Sequence, residues 1–450
     1  MKQLGVLGTI WLLAALLQAA SAGSIDAVGI WTASEHQSQR IRWPGYEPGR
    51  IPAAIFDGSH TWLFCHPQPP NGFLPRPDMP GVYIHPGLHP AIRANTSIEL
   101  NGVQTATIMP SLPRSAGAGE TETNRLAGVL LHEKFHVFQH HRHPDWGANE
   151  AALFVYPATD GELLGWRRLE TDALRRALAA ASADEARRWA AAALDWRARR
   201  YGRLAGEFQT YERETERVEG TAFYVESVVT GRTTTSSGDN AEYTPRDVRR
   251  WCYTTGNWLA RLLDRFDPGW KDALEAGSFA YLDDRLRQVT PDSIAAAEFD
   301  DATASRCLKQ ALQDAADLRR ERERLLEDYL SQTGGRLILI SEQPLWPAGF
   351  DPMNVDTLTA TEVLHRRWLK LKNDNGSLEI LDGRVLTEGA GPHPLFNGVR
   401  RVTLTGLTGA PRVEVRDGRT LLEWGPLKGD FASASVERAG RTVILQMLPH

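Results

Sequence analysis

The stretch Leu131-His132-Glu133-Lys134-Phe135-His136 constrains this chain more than any other. It reads H-E-x-x-H inside a helical pattern, and two histidines four residues apart lie about 40° apart around a helix axis. Both rings can then reach one metal ion, and the glutamate beside the first can take a proton from a water held there. The approach Leu126-Ala127-Gly128-Val129-Leu130-Leu131 and the following Val137 and Phe138 are apolar. A helix so flanked is buried on several sides, where two histidines and a glutamate are costly without a partner. The spacing predicts a helix from Asn124 to His141, capped near Thr121 or Thr123 and stopped by Pro144.

The 450 residues exceed a usual single core, and their texture changes along the chain in the manner of an α+β protein. Residues 1–22 have the parts of a cleavable secretory signal. Lys2 carries the charge, Leu4 to Leu17 is apolar, and Ala20-Ser21-Ala22 precedes Gly23. The expectation is a periplasmic or secreted protein, with no membrane insertion once the signal is removed. Alanine- and arginine-rich helices of bacterial type agree with that compartment.

Residues 23–118 are rich in proline, glycine and aromatic residues, and their short β-type runs predict a small antiparallel sheet. Asn101 to Ile108, just before the histidine helix, reads as an edge strand able to pair with an extended peptide. Residues 119–333 are patterned as helices. One runs from about Glu162 to Ala180, and another from about Ala183 to Val229 with a bend at Gly202 or Gly206. A polar loop at 231–240 comes next, then helices near 245–266, 269–276, 280–288 and 307–332. Trp251, Trp258 and Trp270 read as helical core. After Gly334-Gly335, residues 334–450 alternate as strands with turns at Asn373-Asp374-Asn375-Gly376 and Asp417-Gly418. This pattern predicts a β-sandwich of accessory function with no catalytic constellation.

The formal net charge of -5, without a basic stripe, gives no footprint for nucleic acid. Cys65, Cys252 and Cys307 allow either one disulfide with a thiol left over or three inert thiols, and their spacing is unlike a zinc knuckle.

A catalytic zinc takes three protein ligands and leaves a position to water, so a third ligand is required. A metzincin pattern would need glycine at position 139 and histidine at 142, where this chain has Gln139 and Arg142. His140, His141 and His143 crowd the helix end, and His140 sits about 80° round from His132, off the metal face. The remaining source is a stripe on a later helix, formed by Glu212, Glu216, Glu219, Phe223 and Glu226. Glu219 precedes Gly220 and Ala222, small residues that would let this helix approach the histidine helix; the alternative is a solvated acidic face.

His132-Glu133-x-x-His136 with Glu219-Gly220-x-Ala222 resembles the gluzincin branch of the zincin metallopeptidases, in which a downstream helical glutamate completes the zinc site. The resemblance implies a zincin-like catalytic domain over 23–333 that holds Zn2+ through His132, His136 and Glu219. Glu133 would be the general base in hydrolysis of a peptide or protein substrate. Glu216 and Glu226 are the next choices for the third ligand. The gap of 83 positions from His136 to Glu219 is longer than in many gluzincins and is filled by two added helices. Tyr253, on a later helix, is the first choice for a donor to a developing oxyanion, and Tyr224 the second. Two other functions fit the same residues: hydrolysis of a non-peptide amide or ester, and periplasmic binding with a degenerate zinc site.

Overall fold

In the structure, a computed structural model, residues 24–92, 94–110, 121–232, 244–291, 293–350 and 354–448 are described. The leader at 1–22 and most of the polar loop at 231–240 lie outside them. The first element among the described residues is a helix, α1 (Ala27–Ser38), which the proline- and glycine-rich texture of 23–118 does not suggest. Asp26 caps it by accepting from the Gly29 N–H at 2.8 Å. Ile30 buries itself in the core that the histidine helix shares, and Gln37 Nε2 donates to Asn124 O at 3.1 Å.

A six-stranded sheet comes next: β1 (Ala53–Phe56), β2 (His60–Phe64), β3 (Leu74–Pro75), β4 (Val82–Pro86), β5 (Thr96–Leu100) and β6 (Val103–Ile108). Its order is β3-β4-β2-β1-β6-β5. β1 runs antiparallel to β2 but parallel to β6, so the sheet is mixed, not antiparallel. The parallel partner arrives only after the rest of the sheet has formed, and no local turn announces it. Asn101 and Gly102 both have positive φ, 46° and 78°, the conformation of a two-residue hairpin turn. That turn folds β5 back onto β6. Asn101 to Ile108 is therefore not an edge strand: β6 lies between β1 and β5, and β5 is the edge.

The helices are α2 (Glu122–Arg142), α3 (Ala151–Val155), α4 (Gly161–Ala179), α5 (Ala183–Tyr201) and α6 (Gly206–Thr215). A π turn (Glu216–Gly220) leads directly into α7 (Thr221–Val229). α8 (Val248–Phe266), α9 (Trp270–Glu275), α10 (Leu282–Val289) and α11 (Asp301–Leu330) follow among the described residues. Side-chain caps explain three of the starts: Thr121 on α2, Asp160 on α4 and Ser182 on α5. Trp251, Trp258 and Trp270 are buried, as expected of core.

By its internal contacts the chain divides into two units, one of residues 24–149 and 160–315, the other of 150–159 and 316–448 among those described. The second is a mostly antiparallel β region built on a long strand, β7 (Gly335–Phe350). The first half of β7 pairs with Val399–Leu407 and, in parallel, with Thr442–Met447; its second half pairs with Leu369–Asn373. Leu337, Leu339, Leu345, Leu371, Leu378 and Phe431 belong to one buried cluster there. All three cysteines are free thiols: Cys252 and Cys307 are buried, Cys65 exposed. Among the described residues no helix is long and apolar enough to cross a membrane.

The core between α4, α5 and α6 is ionic. Arg167, Arg197 and Arg200 meet Glu170, Glu212 and Glu216, each with a side chain no more than 3% exposed. Burial pushes the Glu170 carboxyl up, but Arg197, Arg200 and Arg167 outweigh it and hold the group at about 2, against an ordinary 4.5. A folded-state value below the unfolded one contributes stability that is complete above the unfolded value and lost as protons bind. Unfolding free energy should therefore fall by a few kcal/mol between pH 4.5 and 2. Denaturant titrations followed by circular dichroism at stepped pH test this, and a flat profile over that window rules it out.

Candidate metal centre

α2 carries the motif on a helix whose faces are all occupied. Lys134, between the histidines in sequence, points away from them: its ammonium lies 3.8 Å from the Trp31 ring centroid and 3.2 Å from Glu35 Oε1. Burial lowers its pKa to about 8 although Glu35 opposes the shift. Tyr46 donates its hydroxyl to Leu131 O at 3.0 Å, tying a loop to the helix one residue before His132.

His132, His136 and Glu219 come together as a group that can hold a metal ion. His132 Nε2 and His136 Nε2 are 3.0 Å apart, His136 Nε2 is 3.1 Å from Glu219 Oε2, and His132 Nε2 is 3.6 Å from the same oxygen. Ligand atoms 2.0–2.1 Å from one tetrahedral ion sit about 3.3 Å from one another, so these separations fit a single ion. Their partners orient both rings. Gln139 Nε2 donates to Val218 O at 3.0 Å and lies 2.9 Å from Thr221 Oγ1, which leaves its Oε1 facing His136 Nδ1 at 2.8 Å. His136 must then carry its proton on Nδ1 and present a bare Nε2. His132 Nδ1 faces Glu226 Oε2 at 3.3 Å.

The charge favours a cation. Burial alone would lower the His132 pKa, but the carboxylates of Glu219, Glu226 and Glu133 outweigh it and raise the ring to about 10. Burial raises Glu133 above the usual carboxylate range, with His132 and His136 pulling the other way. Glu219 is held well below that range: burial opposes this, and His136, His132 and Arg249 prevail. Arg249 reaches the second oxygen of Glu219, Oε1, at 2.8 Å.

The three glutamates weighed as third ligand part company. Glu216 is bound bidentately by Arg197 at 2.6 and 2.8 Å and accepts from Thr255 Oγ1 at 2.6 Å, inside the ionic core. Glu226 backs His132 and accepts from Arg232 at 3.0 Å. Glu219 alone of the three lies against the Nε2 atoms of both histidines. The stripe expected from a regular helix is split because Glu216–Gly220 is a π turn, whose extra residue rotates the helix beyond it. Glu212 and Glu216 consequently face the arginines, while Glu219 and Glu226 face α2.

Gly220 also has a different partner from the expected one. A Cβ there would stand 2.5 Å from Gly256 Cα and 3.1 Å from Cys252 O, so its close approach is to α8, not to the histidine helix. The histidine helix makes its own close approach at Gly128, against Thr230 and Glu226.

Tyr253 is at the site. Its ring lies near-parallel to His132 with centroids 6.1 Å apart, and the Phe223 ring stands 6.5 Å from it, edge to face. Burial, then the charge of Glu219, pushes its hydroxyl well above the ordinary value, so it stays protonated and able to donate. Tyr224 is turned away: its hydroxyl donates to Asp264 Oδ2 at 2.6 Å, within an aromatic group with Trp43 and Trp270. His140 and His141 are exposed, and His143 pairs with Glu275 at 3.0 Å while stacking on Trp146. Sequence reasoning missed Gln139 and Arg249. Their signals were spacings: Gln139 is one helical turn after His136, and Arg249 one turn before Tyr253. No family model, no curated protein and no solved structure matches the chain.

Proposed function

We propose that the chain is an exported zinc metallopeptidase of the gluzincin kind, with a zincin-like catalytic region followed by a β-sandwich accessory region. The observation that carries the reading is the convergence of two imidazole Nε2 atoms and one carboxylate oxygen, with the buried Glu133 between the two histidines in sequence. Two nitrogens and one oxygen are the ligand set of a catalytic zinc that keeps one position open. A zinc ion held by His132, His136 and Glu219 would supply a Lewis acid and a water acidic enough to react near neutral pH. Glu133 takes the proton from the attacking water and returns it to the departing amine. Tyr253 offers its hydroxyl to the oxygen of the carbonyl under attack. Arg249 holds the outer oxygen of Glu219, leaving the inner one for the metal. Export is supported by the leader pattern at 1–22, and the sandwich by a single core that draws on both halves of β7.

The test is metal content together with substrate choice. Protein purified without added metal should hold one zinc per chain and cleave peptides in preference to non-peptide amides and esters. Glu219→Ala should weaken zinc binding by at least about a hundredfold, since only two ligands remain. Full zinc retention in that variant rejects the ligand set, and turnover confined to non-peptide esters or amides rejects the substrate class.

A further inference from the structure

The long excursion between the two halves of the metal centre has a second role in the geometry. Between His136 and Glu219 the chain inserts the α4–α5 hairpin, and that hairpin carries Arg167, Glu170, Arg197 and Arg200. Every one of them is buried. The segment that ends in Glu219 plugs two carboxylates into this set. Glu212 meets Arg200 Nη1 at 2.6 Å and Arg167 Nη1 at 2.9 Å, and Glu216 meets Arg197 through both of its oxygens. Thr255 of α8 closes the network, accepting from Arg167 at 2.8 Å and donating to Glu216 at 2.6 Å.

Stability does not account for such an arrangement. Burying three cations and three anions forfeits their hydration, and apolar residues of similar volume commonly hold a fold as well or better. A buried ionic set does provide discrimination, because one pairing satisfies every charge and a shifted one strands some of them. The segment needs that discrimination. Its closest backbone approach to α8 is glycine on glycine, Gly220 against Gly256, and that point of contact has no side chain of its own to key one helix into the other. A one-residue slip would turn Glu219 about 100° around its axis and away from both histidines. The π turn lies between the pinned Glu216 and Gly220, so the orientation of Glu219 is set where the pin ends.

We infer that the α4–α5 hairpin is a register pin for the metal ligand, with Arg197 and Arg200 as positioning residues that hold Glu212 and Glu216 so that Glu219 meets His132 and His136. This role rests on the reading of His132, His136 and Glu219 as a zinc site. The experiment compares zinc affinity, by competition with a chromophoric chelator, and the visible spectrum of the Co2+-loaded protein across three full-length forms. The first is wild type. The second combines Arg197→Met with Glu216→Gln, which leaves two buried charges of each sign in the network. The third combines Arg168→Met with Asp314→Asn, removing an ion pair of 2.6 Å that joins α4 to α11 and does not touch the π turn.

The pin requires the second form to bind zinc about tenfold to a hundredfold more weakly than wild type, with an altered Co2+ spectrum. The third form should stay within about twofold. Equal affinity in the first two, with both folded by circular dichroism, overturns the role. Equal losses in the second and third overturn it too, because general loosening would then explain the effect. If the second form does not fold, Thr255→Val decides the matter: a zinc affinity at least about threefold weaker supports the pin, and an unchanged one overturns it. A wild type that binds no zinc in the same titration refutes the metal site itself, and the pin with it.

Discussion

Glu133→Gln should leave one zinc per chain and lower peptide turnover by about 10²- to 10⁴-fold, almost entirely in kcat. The substitution keeps the shape of a side chain that is only 8% exposed, so it opens no cavity and asks for no repacking. It touches none of the three atoms that converge as ligands, His132 Nε2, His136 Nε2 and Glu219 Oε2. On the proposed mechanism the group it removes is the proton acceptor, since an amide oxygen is far too weak a base near neutral pH. Bound zinc and peptide cleavage are measured on the same preparation. Cleavage at the wild-type rate with zinc in place would take the base role away from Glu133. Loss of zinc along with activity would move Glu133 into the ligand set, outside the group of His132, His136 and Glu219 that converges.

The half of the centre on α2 is legible in the sequence because its signals are local. The H-E-x-x-H spacing, the apolar approach and the stop at Pro144 predict a helix within two residues of the observed Glu122–Arg142, and Thr121 is its cap. The other half is legible in identity but not in reason. Gly220 beside Glu219 promises close packing on α2, yet Gly220 packs on Gly256 of α8. The π turn that splits Glu216 from Glu219 leaves no mark in a 3.6-residue period, and a stripe drawn on that period puts both on one face. Elsewhere the failures are of range. α1 is short, with apolar residues too irregular to stand out from the proline- and glycine-rich residues after it. The parallel pairing of β1 with β6 joins strands at opposite ends of the sheet-forming segment. The Asn101-Gly102 turn is a local signal, present in the sequence but easily taken for strand interior. The arginines of α4 and α5 look like solvated helix faces until the fold places them together.

Gly256→Ala should destabilise the helical unit by about 3 kcal/mol or more and weaken zinc binding along with it. A Cβ at position 256 would sit 2.7 Å from Gly220 Cα and 2.9 Å from Glu216 Cα, and against Glu216 O as well. All three are backbone atoms, so no rotamer change makes room and α8 must move bodily off the π turn. That movement strains the Thr255–Glu216 hydrogen bond at 2.6 Å and the Arg249–Glu219 contact at 2.8 Å together, because all four groups lie on the two surfaces being parted. Gly128→Ala is the informative contrast. Its Cβ would meet the Cγ2 methyl of Thr230, one atom at the end of a side chain, and no other neighbour closer than 3.5 Å. Replacing Thr230 by serine removes that methyl, so Gly128→Ala with Thr230→Ser should recover most of the stability that Gly128→Ala alone loses. The better helix propensity of alanine, worth up to about 1 kcal/mol, is present in both variants, so the recovery reads the relief of the Thr230 contact alone. Denaturant unfolding of the three variants, with zinc affinity measured on each, separates the two contacts. If Gly256→Ala matched wild type in both readouts, α8 would not be packed on the π turn as tightly as the backbone distances require, and Glu219 would need some other support.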